Sequence, residues 1–321
     1  MLYPLRFRPI FRQSIWGGRR LKTSLGKSIG DGNDFAESWE IVDHGADQSV
    51  VRTGTFEGMS LGELVVRHGQ ELLGRHHPRP RFPLLLKFLD AHRDLSVQVH
   101  PNDKQGSQLD PPDLGKTEAW VILEAEPGSK VYAGLSGGVG PDELRQAIGK
   151  GMTESCLHQV EVKPGDCLFI PAGTVHALGS GLVVFEVQQA SDATYRLFDW
   201  NRVDADGKPR QLHIEEAMGV INFDYGPVDP VSPLASEDLD VVRLVNCDKF
   251  VLDRWSFNRR GTIPDDQRCH LLAVLSGSVT VEQDASGAPL TRGQTMLVPA
   301  SCGELTIATD ESTVLLDMYL P

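Results

Sequence analysis

The feature that most constrains the fold of this chain is an internal repeat of short strand patterns. The segment "VKPGDCLFIPAGTVHAL", which starts at Val162, and the segment "LTRGQTMLVPASCGELTI", which starts at Leu290, run in the same order. Each has a turn with glycine, an apolar strand, Pro-Ala, a loop and another strand. Upstream, "EAWVILEAEPGSKVYAG" from Glu118 resembles "HLLAVLSGSVTVEQ" from His270. Self-similarity of this kind predicts two copies of one supersecondary unit.

Turn residues and short apolar runs predict a mainly β protein. The 32 glycines and 20 prolines separate runs such as "FPLLLKFLDA" and "GLVVFEVQQ", a pattern typical of barrels and sandwiches. Three segments follow a helical pattern instead: "SLGELVVRHGQELLG", with Ser60 as a candidate N-cap, "PDELRQAIGKG" and "HIEEAMGVI". The order strand, glycine, strand, "PxGxxH", strand resembles the cupin jelly roll. We therefore expect two cupin-type jelly-roll units with a few short helices.

The expected join between the two units is the segment "DYGPVDPVSPLASEDLD" at residues 224–240, which is rich in Pro, Asp and Ser. We predict a catalytic, metal-binding unit over residues 1–235 and a second, degenerate unit over residues 236–321. The first copy has His176 in "PAGTVH", whereas the aligned "PASCGE" has Glu304 at that position. His270 aligns with Glu118 and is interpreted as a surface or core histidine.

Composition excludes several classes of function. The chain has 321 residues and a formal net charge of −13, which argues against general binding to nucleic acid or acidic membranes. A small anionic substrate would need only a few local cations. The five cysteines form no CxxC pair, and no segment has the pattern of a signal peptide or a membrane span. We expect a cytoplasmic protein without an obligate protein partner.

The stretch "SVQVHPND" carries polar residues at every second position. In a β-strand Ser96, Gln98 and His100 would share one face, and Val97 and Val99 would share the other. The polar face either meets solvent on a half-exposed strand or lines a pocket. Other residues must decide between these two interpretations.

Several polar residues would converge if adjacent strands pair as a jelly roll requires. They comprise two imidazoles, one carboxylate and one amide oxygen, which suit zinc or another divalent first-row metal: His100, His176, Glu118 and Gln98. Lys116 lies two residues before Glu118 on the same face of a predicted strand. Two histidines and a glutamate also suit non-haem iron, so a dioxygenase is an alternative, as is a sugar-binding cupin without catalysis.

Taken together, several motifs are similar to those of one enzyme family. They are "LLLKFLDA", "LSVQVHPND", "GKTEAWVIL", "PAGTVHALGSG" and "EVQQASDATYRLFDW". The chain resembles the type I mannose-6-phosphate isomerases, also called phosphomannose isomerases, of the short bacterial form. The resemblance implies metal-dependent interconversion of mannose 6-phosphate and fructose 6-phosphate through an enediol. Phosphate-binding cations and a lysine near the metal glutamate favour this function over an oxygenase, which needs neither.

The resemblance also implies roles for individual residues. It implies one divalent metal per chain, expected to be zinc, and four ligands: Gln98, His100, Glu118 and His176. Gln98 is either a direct ligand or lies behind the other three. Arg196 in "YRLFDW" matches the active-site arginine, which would stabilise developing negative charge. Lys116, Glu186 or a metal-bound water would transfer the proton, and the sequence leaves this choice open.

Three further residues match the substrate-binding region of the family. Ser96 and Lys87 correspond to the phosphate region, although Lys87 would alternatively pair with a structural carboxylate such as Asp90. Trp16 in "IWGG" would stack on the sugar or close the end of the barrel, and we favour a place at the rim because the glycines give it a flexible backbone. A phosphosugar is the one partner that the sequence implies.

Overall fold

A computed structural model describes residues 1–203, 206–231 and 240–321. We call residues 1–203 and 206–231 the first unit and residues 240–321 the second unit. The described residues form 24 strands and five α-helices, which confirms a mainly β protein with a few short helices. The predicted boundary between residues 235 and 236 lies outside the described residues.

Fifteen of the described strands belong to the first unit. They are β1 (Phe7–Arg8), β2 (Ile10–Gly18), β3 (Phe35–Ile41), β4 (Asp43–His44), β5 (Asp47–Gln48), β6 (Val50–Val51), β7 (Leu84–Ala91), β8 (Val97–Val99), β9 (Glu118–Ala125), β10 (Lys130–Leu135), β11 (Leu157–Glu161), β12 (Cys167–Ile170), β13 (His176–Leu178), β14 (Leu182–Gln189) and β15 (Tyr195–Phe198).

The remaining elements are the strands of the second unit and the helices. The strands are β16 (Asp240–Asn246), β17 (Val251–Phe257), β18 (Arg260–Ile263), β19 (His270–Ser276), β20 (Ser278–Val281), β21 (Leu290–Thr291), β22 (Thr295–Val298), β23 (Leu305–Ala308) and β24 (Thr313–Tyr319). The α-helices are α1 (Arg20–Thr23), α2 (Leu61–Leu73), α3 (Asp103–Gly106), α4 (Pro141–Gly149) and α5 (Ile214–Val220). Short 3-10 turns span Gly74–His76, Thr153–Cys156 and Ala300–Cys302.

Two antiparallel sheets build the first unit. One has six strands in the order β12-β9-β14-β7-β3-β2, and the other has five in the order β11-β10-β13-β8-β15. Apolar side chains from both sheets, among them Leu89, Trp120, Ala133 and Leu178, form one buried cluster. Because alternate residues of a strand point to opposite faces, each sheet contributes one face to this inner core and has another to cover.

Helices cover part of the outer faces of these sheets. Leu144 and Ala147 of α4 and Ala217 of α5 pack with Val97 and Val99 of β8. Helix α2 begins after Ser60, which forms a capping box with Glu63 and confirms the predicted N-cap. All three predicted helical segments are helices. In the described part of the chain, no helix is both long and apolar enough to cross a membrane.

The second unit repeats this arrangement on a smaller scale. A five-stranded sheet, β16-β17-β24-β19-β22, and a four-stranded sheet, β18-β23-β20-β21, enclose their own apolar cluster. Strand register confirms the repeat that the sequence suggests. Glu118 opposes Ile170 directly before Pro171 in the first unit, and His270 opposes Val298 directly before Pro299 in the second.

The two units share one apolar core. Phe88 and Phe185 on the outer face of the six-stranded sheet belong to the same buried cluster as Phe250 and Leu271 of the second unit. Backbone hydrogen bonds add to this contact, since Leu5 and Leu297 pair through N–H to O distances of 2.7 and 2.9 Å. The second unit therefore covers the apolar outer face that the first unit would otherwise expose.

Candidate metal centre and active-site cavity

Three buried side chains form a cluster between the two sheets of the first unit. His100 follows β8, Glu118 opens β9 and His176 opens β13. Their donor atoms lie within 4.8 Å of one another, and the group has the composition of a metal site. Glu118 Oε2 is 3.5 Å from His100 Nε2, and Glu118 Oε1 is 3.3 Å from His176 Nε2. Strand pairing produces this convergence, because β13 lies next to β8 and places His176 opposite Gln98.

Backbone carbonyls orient both imidazole rings. His100 Nδ1 lies 2.9 Å from the carbonyl oxygen of Ala193, and His176 Nδ1 lies 2.8 Å from that of Thr174. Each Nδ1–H therefore donates to a carbonyl, which leaves the Nε2 lone pair directed towards Glu118. An outer hydrogen bond of this type is the usual way to orient a metal-binding histidine.

Burial sets the electrostatics of the cluster. Desolvation lowers the pKa of His176 to about 3, and the positive charge of Lys116 contributes in the same direction. The same two causes lower the pKa of His100 well below its usual value. Both rings are therefore neutral. Glu118 Oε1 is buried and accepts no hydrogen bond, so this oxygen and two neutral nitrogens surround a place that a divalent cation fits.

Lys116 and Gln98 border the cluster on the cavity side. Lys116 Nζ lies 2.9 Å from Glu118 Oε2 and 2.9 Å from His100 Nε2. The amide nitrogen of Gln98 lies 3.3 Å from His176 Nε2. A metal ligand at Gln98 would have to present its oxygen instead, so its role as a fourth ligand stays a prediction.

The two faces of β8 differ as the sequence pattern predicts. Val97 and Val99 are fully buried under helices α4 and α5. Gln98 and Ser96 line a cavity on the opposite face. Of the two interpretations of "SVQVHPND", the structure therefore supports a strand whose polar face lines a pocket.

A cavity of about 390 Å³ lies above the His–Glu–His cluster. Its lining includes every non-metal residue that the sequence assigned to the site, together with Gln98: Trp16, Lys87, Ser96, Gln98, Lys116, Glu186 and Arg196. Glu37, Asp192 and Arg210 also line it. The volume lies within the range of small-molecule sites, and the lining is mostly polar and charged.

Lys87 is held by two carboxylates within this cavity. Its Nζ lies 3.3 Å from Glu37 Oε2 and 3.5 Å from Glu186 Oε1, and it sits 4.9 Å from the centre of the Trp39 ring. Burial would lower the pKa of Lys87, but the two negative charges raise it above its usual value. The suggested pairing with Asp90 is wrong. Residues 87 and 90 are three apart on β7 and therefore face opposite sides of the sheet.

Glu186 is held in the cavity by Trp120 and Lys87. Its Oε2 accepts a hydrogen bond of 3.0 Å from Trp120 Nε1. Burial raises the pKa of Glu186, and the charge of Glu118 adds to this effect. Oε1 of Glu186 is buried without a hydrogen-bond partner.

Besides Lys87, the cavity has a positive charge at Arg196, on the side formed by β15 and β8. Arg196 Nε donates to Ser96 Oγ over 3.3 Å, and its Nη1 donates to the carbonyl oxygen of Gln211 over 2.9 Å. Burial and the nearby charge of Arg210 lower the pKa of Arg196, although it stays far above neutrality. Among the described residues no carboxylate forms an ion pair with Arg196.

Trp16 is buried in the inner core and also lines the cavity. The expectation that "WGG" provides a flexible backbone is wrong. Both glycines lie at the end of strand β2, where other segments of the same chain approach so closely that a side chain would not fit. A Cβ on Gly17 would lie 2.4 Å from the carbonyl oxygen of Asp34, and one on Gly18 would lie 2.7 Å from Asp90 Oδ2.

Sequence inspection missed Glu37, Asp192 and Arg210 in the cavity lining, and Asp113 outside it. Glu37, on β3, receives a hydrogen bond of 2.6 Å from Trp39 Nε1. Burial would raise the pKa of Glu37, but the Lys87 charge and the Trp39 N–H hold it below its usual value. Asp113 accepts from Arg81 and Ser191 and so anchors the loop that carries Ala193. The available signal for Glu37 was the presence of two acids, Glu37 and Glu40, in the strand segment "FAESWEI".

The fold and the cluster define a cupin with a candidate metal centre. A family model described as "Phosphomannose isomerase type I, catalytic domain" matches residues 5–123, and one described as "Mannose-6-phosphate isomerase, cupin domain" matches residues 240–315. Mannose-6-phosphate isomerase ManA of Bacillus subtilis (strain 168) is 37% identical, over 95% of each chain. This chain belongs to the type I phosphomannose isomerase family.

Other relatives agree with this assignment. A mannose-6-phosphate isomerase of Streptococcus mutans is 33% identical over 93% of each chain. The crystal structure of the mannose 6-phosphate isomerase from Bacillus subtilis matches with a TM-score of 0.90 and 32% identity, over 99% of this chain and 100% of that one. The similarity therefore covers both units and their arrangement.

Proposed function

We propose that this chain is a metal-dependent aldose–ketose isomerase that interconverts mannose 6-phosphate and fructose 6-phosphate. The observation that carries the proposal is the His100–Glu118–His176 cluster beneath a cavity lined by cations. Relatives named mannose-6-phosphate isomerase match nearly the whole chain. An oxygenase would have no use for Lys87, Lys116 and Arg196 around its metal.

The metal in this proposal is one zinc ion per chain. His100, Glu118 and His176 would hold it through two neutral nitrogens and one carboxylate oxygen, with Gln98 as the candidate fourth ligand. A bound zinc ion would act as a Lewis acid that polarises the sugar carbonyl. The neutral state of the two buried rings supports the assignment, because a protonated imidazole has no lone pair for a metal.

The substrate phosphate would lie at Ser96 and Arg196. Arg196 has no carboxylate partner among the described residues, whereas the charge of Lys87 is already balanced by Glu37 and Glu186. A guanidinium also presents a fixed pair of donors that matches phosphate. Lys87 would instead donate to sugar hydroxyls and keep the two carboxylates in place. Trp16 would form an apolar wall beside the sugar ring.

The proton would move between C1 and C2 of the sugar through a side chain that lines the cavity. Glu186 Oε1 and Lys116 Nζ are the two candidates, since Oε1 has no hydrogen-bond partner and Nζ lies beside the cluster. A positioned acid–base group contributes about 10²- to 10⁴-fold in rate. Lys116→Met and Glu186→Gln should therefore differ: only the variant without the base loses exchange of the C2 proton with solvent deuterium.

Two broader features belong to the same proposal. We place the catalytic unit in residues 1–235 and the second unit in residues 236–321, because every residue that lines the cavity belongs to the first unit. We place the protein in the cytoplasm, because its substrate is a phosphorylated metabolite. The five cysteines are free, as is usual in a reducing compartment.

A coupled assay for fructose 6-phosphate formation from mannose 6-phosphate tests the function. The protein is stripped of metal, and activity is measured before and after zinc, manganese or ferrous iron is restored. We expect activity that depends on metal, with zinc effective. Folded wild-type protein that stays inactive with every metal would exclude this substrate, and activity in the stripped protein would exclude metal dependence.

A further inference from the structure

A second and larger cavity lies between the two units. Its volume is about 540 Å³, compared with about 390 Å³ for the active-site cavity. The first unit contributes Arg6, Lys27 and Arg52, and the second contributes Arg292 and Gln294. The proposed isomerase function does not use any of these residues.

Positive charge distinguishes this cavity from the protein as a whole. The chain has a net charge of −13, yet four cations line the cavity, Arg6, Lys27, Arg52 and Arg292. Three of them pair with carboxylates, and Arg52 adds one positive charge in excess. A concave surface with an excess of one charge attracts small ions of the opposite charge. The occupant that this lining favours is therefore an anion.

Ion pairs fix most of these cations in place. Lys27 Nζ lies 2.5 Å from Glu40 Oε1. Arg6 Nη2 lies 2.5 Å from Asp284 Oδ2, and both of these side chains are only 3% exposed. Their positions are therefore set before any ligand arrives, which lowers the entropy cost of binding.

Arg292 and Arg52 have donors available. Arg292 Nη2 lies 2.7 Å from Glu124 Oε1, but its buried Nε has no hydrogen-bond partner. Arg52 has no carboxylate partner among the described residues, and its side chain is exposed at the cavity. Burial lowers the pKa of Lys27 despite the attraction of Glu40, and the charge of Arg52 adds to this effect. A bound anion would stabilise all three cations.

Apolar side chains complete the lining. Phe7, Phe11, Leu25 and Leu290 form walls beside the cations. An inorganic ion alone would leave these walls and most of the volume without contacts. A ligand with an anionic group and an organic body uses both parts of the cavity.

The two cavities lie on opposite sides of strand β3. Glu37 lines the active-site cavity and Trp39 contacts Lys87 there, while Glu40 lines the cavity between the units. Lys27 lies 4.7 Å from the Phe88 ring on the outer face of the same sheet. A ligand between the units would therefore occupy a site separate from the catalytic pocket.

We propose that the cavity between the units binds a phosphorylated organic metabolite as a second ligand. Its phosphate contacts Arg52, Lys27 and Arg292, and its organic body packs against Phe11. Phosphate is favoured over a carboxylate because cations of both units line the cavity, and a phosphate has more oxygens to accept their hydrogen bonds.

Binding to the full-length protein tests this site. Calorimetric titration uses four probes: adenosine 5′-monophosphate, 3-phosphoglycerate, glucose 1-phosphate and inorganic phosphate. We expect at least one organic phosphate to bind more tightly than inorganic phosphate. Arg52→Glu should weaken that binding at least tenfold. Arg52 is exposed, so this substitution leaves the core unchanged.

Two control variants assign the site. Arg8→Glu makes the same charge change at an exposed arginine that pairs with Glu57 outside the cavity, and it should leave binding within about twofold. Arg196→Ala removes a cation of the catalytic pocket and should also preserve binding. The proposal is wrong if no organic phosphate binds, or if binding survives Arg52→Glu; loss of binding in Arg196→Ala would place the ligand in the catalytic pocket instead. Neither result bears on the isomerase assay.

Discussion

The two units have the same arrangement of strands, but the buried histidines of the two units have different hydrogen-bond partners. In the first unit, each histidine of the cluster donates from Nδ1 to a backbone carbonyl and directs Nε2 towards the shared carboxylate of Glu118, with Lys116 and Gln98 beside it. In the second unit, His270 occupies the position that corresponds to Glu118, and both of its ring nitrogens contact carboxylates. Its Nδ1 lies 2.9 Å from Asp317 and its Nε2 lies 3.3 Å from Asp266.

This difference shows what a metal site requires beyond suitable residue types. The second unit has a histidine and two acids close together, but they satisfy one another. Glu304, which replaces the metal histidine of the "PxGxxH" motif, is exposed on the surface. Within the described residues the only candidate metal group is the one in the first unit. A buried carboxylate oxygen without a hydrogen-bond partner, Glu118 Oε1, separates the candidate metal site from the network of the second unit.

The pKa values of the histidines follow the same division. Burial and the Lys116 charge lower the pKa of His176 to about 3. Burial would also lower the pKa of His270, but the charges and hydrogen bonds of Asp317 and Asp266 together raise it above the usual value. The surroundings of His176 therefore favour the neutral ring, whereas those of His270 favour the protonated ring.

The largest expected effect comes from exchanging one histidine in each unit for glutamine. His176→Gln should lose its metal and lower kcat/KM more than about 100-fold, because a direct ligand matters more than the outer contacts that cost 10- to 100-fold. His270→Gln should keep its metal and its kcat/KM. Metal analysis of the purified proteins and the coupled assay measure this. Equal loss in both variants would break the comparison between the units.

Next in size is the loss of the core that the units share. Phe250 is fully buried in the cluster that joins them, so Phe250→Ala should lower the free energy of unfolding by about 3–5 kcal/mol. Urea unfolding followed by activity and by fluorescence should show one common transition at lower urea. If the second unit unfolds while activity persists, the units are independent. Val241→Ala, at an exposed position, serves as the control.

A smaller effect on activity is expected from substitution of Arg196, which lines the active-site cavity of the first unit. Arg196→Ala should lower kcat/KM about 100-fold, a loss typical of removing one donor that stabilises developing charge. Zinc content should stay unchanged, because Arg196 contacts Ser96 rather than the cluster. Arg145→Ala, which breaks an exposed pair with Glu215, should be neutral. Full activity of Arg196→Ala would remove this residue from the proposed site.

The smallest expected effect is a pH dependence from the second unit. The pKa of His270 is raised in the folded protein by Asp317 and Asp266, so its ion pair stabilises the fold fully below the unfolded value of 6.5. This stabilisation is lost as pH rises through the folded pKa. The stability difference between wild type and His270→Gln, measured by thermal unfolding, should therefore shrink from pH 6 to pH 9. A difference that grows with pH would contradict the ion pair.

Local patterns predicted most of the fold. Alternation in "SVQVHPND" separated the buried Val97 and Val99 from the polar Gln98, because the two-residue period of a strand is a local property. The Ser60 cap and the three helical segments follow from contacts within one turn. The repeat anticipated the matching register of Glu118 and His270, which the strand pairs confirm.

Other expectations failed because they depended on distant neighbours. Asp90 was a reasonable partner for Lys87 by proximity in the chain, but Lys87 pairs with Glu37 across the sheet. Gly17 and Gly18 suggested flexibility, yet the backbone and Asp90 approach them too closely for any side chain. A single strand does not specify which neighbour lies beside it.

By itself, the sequence determined the class of fold, the family and the residue types of the candidate metal centre, because these depend on short motifs and their order. The tertiary structure decided which histidines form the candidate metal group with Glu118 and which histidine pairs with carboxylates instead. It also decided that the outer face of the first unit is covered by the second, with a cationic cavity between them. Each of these depends on distances between residues far apart in the chain, which only the packing of the sheets sets.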